Sequence, residues 1–201
     1  MLRSRSLFPP PSLFLTPKSS VAIPVRDELT HDALCQAALD PAVTSIEFTR
    51  SVTVGNQPHR LDGIVLVRDN SREMLDIERG DIRSLDAVGL RLLAAEKLGA
   101  SPLTLNEGSI LREPRCSNAR TVWEHHRRPV SLESRIYIAD LLDEEGAMSI
   151  RDIGIRFRED IFALACGTLL DIELHAGPLD AVLVRPTPRL VPMRPLVVAV
   201  R

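Results

Sequence analysis

Three acidic residues lie close together in a stretch of sequence that predicts paired β-strands. Asp62 stands at the start of one predicted strand, and Asp76 and Glu78 lie two residues apart on the next. Side chains alternate along a strand, so Asp76 and Glu78 share one face, which antiparallel pairing would bring within reach of Asp62. Carboxylate clusters bind hard cations such as Mg²⁺, and such ions cleave phosphodiesters by activating water. The alternative is that these acids simply face water.

The elements that would position these acids form an α/β pattern. Apolar spacing predicts a helix over residues 27–39, ended by Asp40-Pro41. Alternating Val, Ile, Thr and Phe predict three strands. After the acids, apolar residues at helical spacing predict a helix, and a short strand follows it. The predicted strands are 43–54, 60–67 and 73–78, followed by the helix 84–98 and the strand 101–105. The apolar stripe that predicts the helix 84–98 consists of Leu85, Val88, Leu92, Leu93 and Leu98.

The sequence pattern changes at Pro129, where a run of short predicted helices begins. The predicted elements are helices over 131–143, 149–155 and 158–169, then strands over 171–174 and 181–184. Helix, short helix, helix and hairpin is the order of a winged helix-turn-helix, whose third helix meets the DNA major groove. A helical oligomerisation domain or a protein-binding module would fit the same pattern.

Arginines supply most of the positive charge that could contact DNA phosphates. The chain has only two lysines, Lys18 and Lys97. Guanidinium groups bind phosphate oxygens and follow a DNA backbone without reading its sequence. The candidate DNA-binding residues are Arg112, Arg115, Arg120, Arg127, Arg128, Arg156 and Arg158.

Several short segments, taken in order, resemble a known family. They are Asp40-Pro41-Ala42-Val43, Leu61-Asp62-Gly63, Leu75-Asp76-Ile77-Glu78, Leu111-Arg112-Glu113-Pro114-Arg115 and Ser117-Asn118-Ala119-Arg120. With their flanking helices and strands, they resemble the PD-(D/E)XK nuclease superfamily and, within it, the TnsA-like endonucleases of bacterial transposition systems. The resemblance covers about residues 27–184.

The resemblance implies roles for individual residues. Asp62 matches the metal-binding aspartate, and Asp76 matches the acid that opens the (D/E)-X-K triplet, so both would hold Mg²⁺. The triplet lysine is Glu78 here, which could act as a base or an added ligand but cannot stabilise an anion. The glutamate of the preceding helix falls at Thr30, with Glu28 two residues out of register.

The fold expectation and the activity expectation therefore separate. We expect a restriction-endonuclease-like mixed sheet with flanking helices, followed by a small winged-helix-like domain. The resemblance implies a DNA-binding protein, a Mg²⁺-dependent endonuclease if its site is active, and a transposase partner. The alternatives are a catalytically inactive nuclease-fold DNA-binding or scaffold protein, and a pure protein-interaction module.

Composition and charge divide the chain into four predicted parts. They are a flexible Pro/Arg-rich arm over 1–24, a nuclease-like core over 25–128, a winged-helix-like domain over 129–186 and a basic tail over 187–201. No apolar run is long enough to span a membrane. The three cysteines, odd in number and widely spaced, indicate buried thiols in a reducing compartment, so we expect a cytoplasmic protein.

Overall fold

The structure is a computed structural model that describes residues 12–54, 56–80 and 83–187. The residues outside this description include most of the predicted basic tail and the first 11 residues of the predicted arm. The functional residues predicted from sequence all lie within the described ranges.

The N-terminal segment is not a flexible arm where the structure describes it. Strands β1 (Ser12–Phe14) and β2 (Ile23–Val25) pair antiparallel, with Phe14 opposite Ile23. Phe14 is 3% exposed and Ile23 is fully buried. The prediction of a flexible arm over 1–24 is therefore wrong for residues 12–24, because these two apolar side chains anchor the segment to the core.

A four-stranded mixed sheet follows, as the sequence predicts. Helix α1 (Glu28–Leu39) precedes strands β3 (Val43–Val54), β4 (Gln57–Arg68) and β5 (Arg72–Glu78), which pair antiparallel in chain order. Helix α2 (Leu85–Lys97) then carries the chain to the edge strand β6 (Ser101–Asn106), which lies parallel to β5. The α/β class, the mixed sheet and the flanking helices are confirmed.

The two faces of this sheet are covered unequally. The main core includes α1 and side chains such as Ile46, Leu66 and Leu75, while a smaller cluster on the other face includes Ala94 and Ala95 of α2. The predicted apolar stripe of α2 mostly faces outward: the exposed fractions are 89% for Leu85, 41% for Val88, 52% for Leu92 and 47% for Leu93. The predicted helix is confirmed, and it packs on the sheet through Ala94 and Ala95, with Leu98 partly buried against the same cluster.

Short helices and a three-stranded sheet complete the described chain. The elements are α3 (Glu107–Ile110), α4 (Arg115–Trp123), α5 (Leu132–Glu145), β7 (Met148–Ser149), α6 (Ile150–Ile153), a 3₁₀ turn (Ile155–Phe157), α7 (Arg158–Cys166), β8 (Leu170–Ile172), a second 3₁₀ turn (Leu179–Ala181) and β9 (Leu183–Pro186). Strand β9 lies between β7 and β8 and pairs antiparallel with both. The predicted order of helix, short helix, helix and hairpin is confirmed.

One main core joins the front and rear segments of the chain. It includes Phe14 of β1, Trp123 of α4, Phe162 of α7 and Val184 of β9. The boundary predicted after residue 128 therefore does not separate two cores in the described residues. Among these residues, no helix is long and apolar enough to cross a membrane.

The three cysteines are part of this interior. Cys35, Cys116 and Cys166 are free and buried, and burial raises the pKa of the Cys166 thiol to about 12. The expectation of buried thiols is confirmed.

Candidate functional site

Asp76, the acid at the centre of the predicted metal site, is held by two arginines. Arg83 Nη1 donates to Asp76 Oδ1 at 2.7 Å and to Oδ2 at 2.6 Å. Arg91 Nη1, on α2, lies 2.9 Å from Asp76 Oδ1 as an ion pair, although this nitrogen has no partner in hydrogen-bond geometry. Burial lowers the pKa of Arg91, and the charge of Asp76 partly offsets that effect. Both oxygens of the carboxylate are thus engaged by guanidinium groups.

Glu78 shares a cavity with Asp76 at the end of β5. This cavity has a volume of about 480 Å³, and its lining also includes Arg79, Arg83 and Arg91. The prediction that Asp76 and Glu78 share one face of the strand is confirmed, since both line the same space. Glu78 is exposed.

Asp62 does not line the cavity that contains Asp76 and Glu78. Its Oδ2 pairs instead with Arg26 Nη2 at 2.8 Å, just before the N-cap of α1. Asp62 also lies in an irregular stretch of β4, where the register with β3 shifts between Thr49 and Ser51. Asp62 therefore lies near the start of α1, whereas Asp76 lies near α2, and the two carboxylates do not share one site.

The residues around Asp76 do not fit a Mg²⁺ site. Magnesium is bound in proteins through one or two carboxylate oxygens together with water or phosphate oxygens, whereas two positive guanidinium groups occupy both carboxylate oxygens of Asp76. In the described ranges, no group of three or more His, Cys, Asp or Glu side chains is arranged to hold a metal ion. Neither lysine substitutes for the missing triplet lysine, because Lys18 Nζ donates to the carbonyl of Asp40 at 2.6 Å and Lys97 is exposed in the last turn of α2.

Thr30, where the resemblance places a glutamate, belongs to the cap of α1. Its backbone N–H donates to Asp27 Oδ1 at 2.8 Å, and its hydroxyl donates to Oδ2 at 3.1 Å. Arg79 Nη2 reaches both residues, at 2.8 Å from Asp27 Oδ2 and 2.9 Å from Thr30 Oγ1. This position therefore stabilises a helix end rather than a metal.

Three of the seven predicted DNA-binding arginines are engaged in ion pairs. Arg120 pairs with the buried Asp32, and Arg128 pairs with Glu159 and Asp160. Arg158 Nη1 lies 3.5 Å from Asp180 Oδ1, and its guanidinium group also lies over the Phe162 ring. These contacts neutralise much of the charge that a phosphate would require.

The other four arginines are divided between the surface and a cavity. Arg112, Arg127 and Arg156 are exposed, and no described carboxylate lies within ion-pairing distance of them. The guanidinium group of Arg156 lies 4.6 Å from the centre of the Phe157 ring. Arg115 is half-buried and lines a separate cavity beside α1.

Helix α7, the predicted third helix of a winged helix, is turned inward. Residues Ile161, Phe162, Leu164 and Cys166 are buried in the main core, and Cys166 Sγ donates to the carbonyl of Val122 in α4 at 3.3 Å. A helix that reads the major groove must offer side chains to the bases. The buried part of α7 therefore does not offer a base-reading surface in this arrangement.

Sequence reasoning missed two basic features. Arg91 stands in the otherwise apolar run Leu90-Arg91-Leu92-Leu93, a pattern that indicates a partly buried charge with a partner. The second is the outer part of the β3–β4 hairpin, residues 49–61, which contains Arg50, His59 and Arg60 and no acid. We call residues 49–61 the basic ribbon.

The basic ribbon extends past the part of the sheet that β5 pairs. Strands β3 and β4 stay paired as far as Val54 and Gln57, while β5 pairs with β4 only over Val65–Val67 in the described register. Val52 and Leu61 are buried against the α2 side of the sheet. Arg50 and Arg60 are exposed, and no described carboxylate lies within ion-pairing distance of either.

No family model matches the chain, and no curated protein matches it either. The resemblance to PD-(D/E)XK nucleases is thus a resemblance of the short segments of the sequence described above.

Proposed function

We propose that this protein binds DNA through the basic ribbon and has a nuclease-like core that does not cleave. The observation that carries the proposal is the pair of exposed, unpaired arginines on an acid-free two-stranded ribbon. The acids at its base are already neutralised, since Glu47 pairs with Arg72 at 2.7 Å and Asp62 with Arg26 at 2.8 Å. A two-stranded β-ribbon fits the major groove of B-form DNA.

The arrangement of elements supports the nuclease-like part of the proposal. Helix α1, the antiparallel strands β3, β4 and β5, helix α2 and the parallel strand β6 follow the order from which the sequence resemblance was drawn. The order from α5 to β9 supports a winged-helix-like assignment for the rear segment. With α7 packed inward, we assign that segment to scaffolding rather than to base recognition.

The absence of cleavage is supported by the chemistry around Asp76. Two guanidinium groups occupy its carboxylate, and the triplet lysine that would stabilise an anion is Glu78. A phosphodiester at this position would meet neither a metal ligand set nor a positioned water-activating pair. A transposase partner, implied by the resemblance, remains part of the proposal as the subunit that would make the cuts.

Salt-dependent binding to a labelled DNA duplex tests the ribbon. Each phosphate contact contributes about 0.9 to the slope of log K against log salt concentration. We expect the double variant Arg50→Gln/Arg60→Gln to reduce the size of that slope by about 2. Fluorescence anisotropy between about 50 and 200 mM salt measures it.

The matched control is Arg135→Gln/Arg151→Gln, which removes the same charge from exposed positions on α5 and α6. We expect this control to retain nearly the wild-type slope. A ribbon variant whose slope equals that of the wild type, or a wild-type protein with no measurable affinity for duplex DNA, would overturn the proposal.

A nicking assay on supercoiled plasmid tests the second half of the proposal. We expect no nicking above background with Mg²⁺ or Mn²⁺ for either the wild type or Asp62→Ala. Nicking by the wild type that Asp62→Ala or Asp76→Asn abolishes would contradict the inactive-core assignment and would restore the metal-dependent endonuclease.

A further inference from the structure

A second cavity lies where the front and rear segments of the chain meet. Its volume is about 440 Å³, within the range of pockets that hold small molecules. One wall comes from the end of α1, with Arg68 of β4 and Arg115 of α4. The other wall comes from β8, the loop that follows it, and Arg185 of β9. Pockets at such junctions are frequent ligand sites.

Most charged groups in this cavity already have partners. Arg68 Nη1 lies 2.9 Å from Asp40 Oδ2, and its Nε lies 3.0 Å from Glu73 Oε2. Arg185 Nη2 lies 3.7 Å from Glu173 Oε2. Arg68 is shared by two carboxylates, so that group keeps one net negative charge, whereas the charges of Arg185 and Glu173 cancel.

Arg115 is the exception among the cavity arginines. It is half-buried, and no described carboxylate lies within ion-pairing distance of its guanidinium group. Burial lowers its pKa, while attraction by Asp40 and repulsion by Arg68 act in opposite directions. A guanidinium group nonetheless stays charged near neutral pH. A desolvated cation without a partner costs free energy, which an anion in the cavity would offset.

The loop that follows β8, which helps to line the cavity, is held to α4 by a buried amide. Asn118 Nδ2 donates to the carbonyls of Leu174 and Gly177 at 3.0 Å and 2.8 Å. On the near wall, Gln36 Nε2 donates to the carbonyl of Ile110 at 2.7 Å. These hydrogen bonds preform the cavity, which reduces the entropy cost of binding.

We propose that this cavity is a binding site for a phosphate group, with Arg115 as its charged anchor. A guanidinium group forms paired, charge-assisted hydrogen bonds with phosphate oxygens. Asp171 and Glu173 line the same cavity and supply acceptors for hydroxyl groups, so the best-fitting ligand is a small phosphorylated molecule that carries hydroxyls. The proposal does not depend on DNA binding by the basic ribbon.

Isothermal titration of the full chain with inorganic phosphate tests the proposal. We expect saturable binding at one site for the wild type and for Arg112→Met, an exposed arginine on the same segment. Arg115→Met should bind at least about tenfold more weakly, since a charge-assisted hydrogen bond is lost. Equal affinity of wild type and Arg115→Met, or no saturable binding by the wild type, would overturn the site.

Thermal unfolding distinguishes a loss of phosphate binding from a loss of stability in the Arg115→Met variant. Removing an unpartnered, half-buried charge in favour of a methionine is neutral or stabilising, so Arg115→Met should unfold no lower than wild type in phosphate-free buffer. Phosphate should raise the melting temperature of wild type but not of Arg115→Met. A variant that loses stability without phosphate and still gains stability with it would contradict the role of Arg115.

Competition with duplex DNA identifies the source of the phosphate group. If the ligand is a free small molecule, phosphate affinity is unchanged by saturating duplex, and a hydroxyl-bearing phosphate such as glycerol 3-phosphate binds more tightly than inorganic phosphate. If the site receives a DNA backbone phosphate, duplex displaces the inorganic ion. Both results support the site at Arg115.

Discussion

Asp32, which pairs with Arg120, is the most buried carboxylate among the ion pairs of the described residues. Asp32 is 4% exposed, and Arg120 Nε and Nη2 donate to its two oxygens at 2.8 Å and 2.5 Å. These hydrogen bonds raise the pKa of Arg120. The pair joins α1 to α4, so a residue predicted to contact DNA instead compensates a buried carboxylate.

Removing Arg120 would leave that carboxylate buried without a partner. We expect Arg120→Met to lower the free energy of unfolding by about 3 kcal/mol at neutral pH, near the low end for buried pairs because Arg120 is half exposed. Urea unfolding at neutral pH measures this loss, and a variant as stable as the wild type would contradict the role of the pair. The exposed Arg127→Met is the control and should change little.

At the scale of elements, the start of α1 shows how a single cap links two segments. Asp27 accepts from Thr30 and pairs with Arg79, which lies just after β5. Burial alone would raise the pKa of Asp27, but the hydrogen bonds from Thr30 and the charge of Arg79 together lower it below 3.8. The cap therefore contributes most stability when Asp27 is ionised.

Two substitutions at Asp27 separate capping from charge. Asp27→Ala removes both and should cost about 1 kcal/mol of stability at neutral pH. Asp27→Asn keeps a capping oxygen and should lose only the exposed pairing with Arg79, about 0.5 kcal/mol or less. Denaturant unfolding measures both losses.

The stabilising charge of Asp27 has a defined pH range. Because its folded pKa is depressed, its contribution is full above the unfolded pKa and is lost as pH falls through the folded pKa. Wild type and Asp27→Asn should therefore converge at pH values below the depressed folded pKa of Asp27. An advantage of wild type that persists in acid would argue against the ion pair as its source.

Helix α2 shows the limit of reasoning from periodicity at this scale. Apolar spacing correctly predicts a helix there, but it cannot indicate whether another layer covers the apolar stripe. Here α2 rests on the sheet through Ala94 and Ala95, and Leu85, Val88 and Leu92 stay exposed.

At the scale of the whole molecule, the two ends of the described chain share one core. Phe14 stacks on Trp123 with ring centres 4.7 Å apart, and Trp123 stacks on His126 at 5.1 Å. The same core extends to β9. Residues far apart in sequence therefore depend on one another for burial.

A shared core predicts a single cooperative unfolding transition. Trp123 is the only tryptophan, and its fluorescence reports the junction of the front and rear segments, while circular dichroism reports all helices. We expect both signals to change at the same denaturant concentration. Phe14→Ala should lower the free energy of unfolding by about 3 kcal/mol and move both transitions together to lower denaturant concentration. Leu13→Ala, at an exposed position, should move neither transition. Separate transitions for the two signals would indicate independent domains.

Local sequence patterns predict the α/β class, the order of the elements from α1 to β6 and the burial of the cysteines, but not the strands β1, β2 and β7. These follow from local patterns: alternation for strands, helical spacing for α1 and α2, and turn residues such as Asp40-Pro41. The sequence also placed Asp76 and Glu78 on one face, since that needs only the two-residue repeat of a strand.

The tertiary structure alone decided which charges meet. Arg83 and Arg91 come to Asp76 across a loop and a helix crossing, and Asp62 turns to Arg26 at an irregular part of β4. The inward packing of α7 and the cavity at Arg115 likewise depend on how the rear segment docks on α1 and α4. Such pairings depend on distances between residues remote in sequence, which local propensities do not encode.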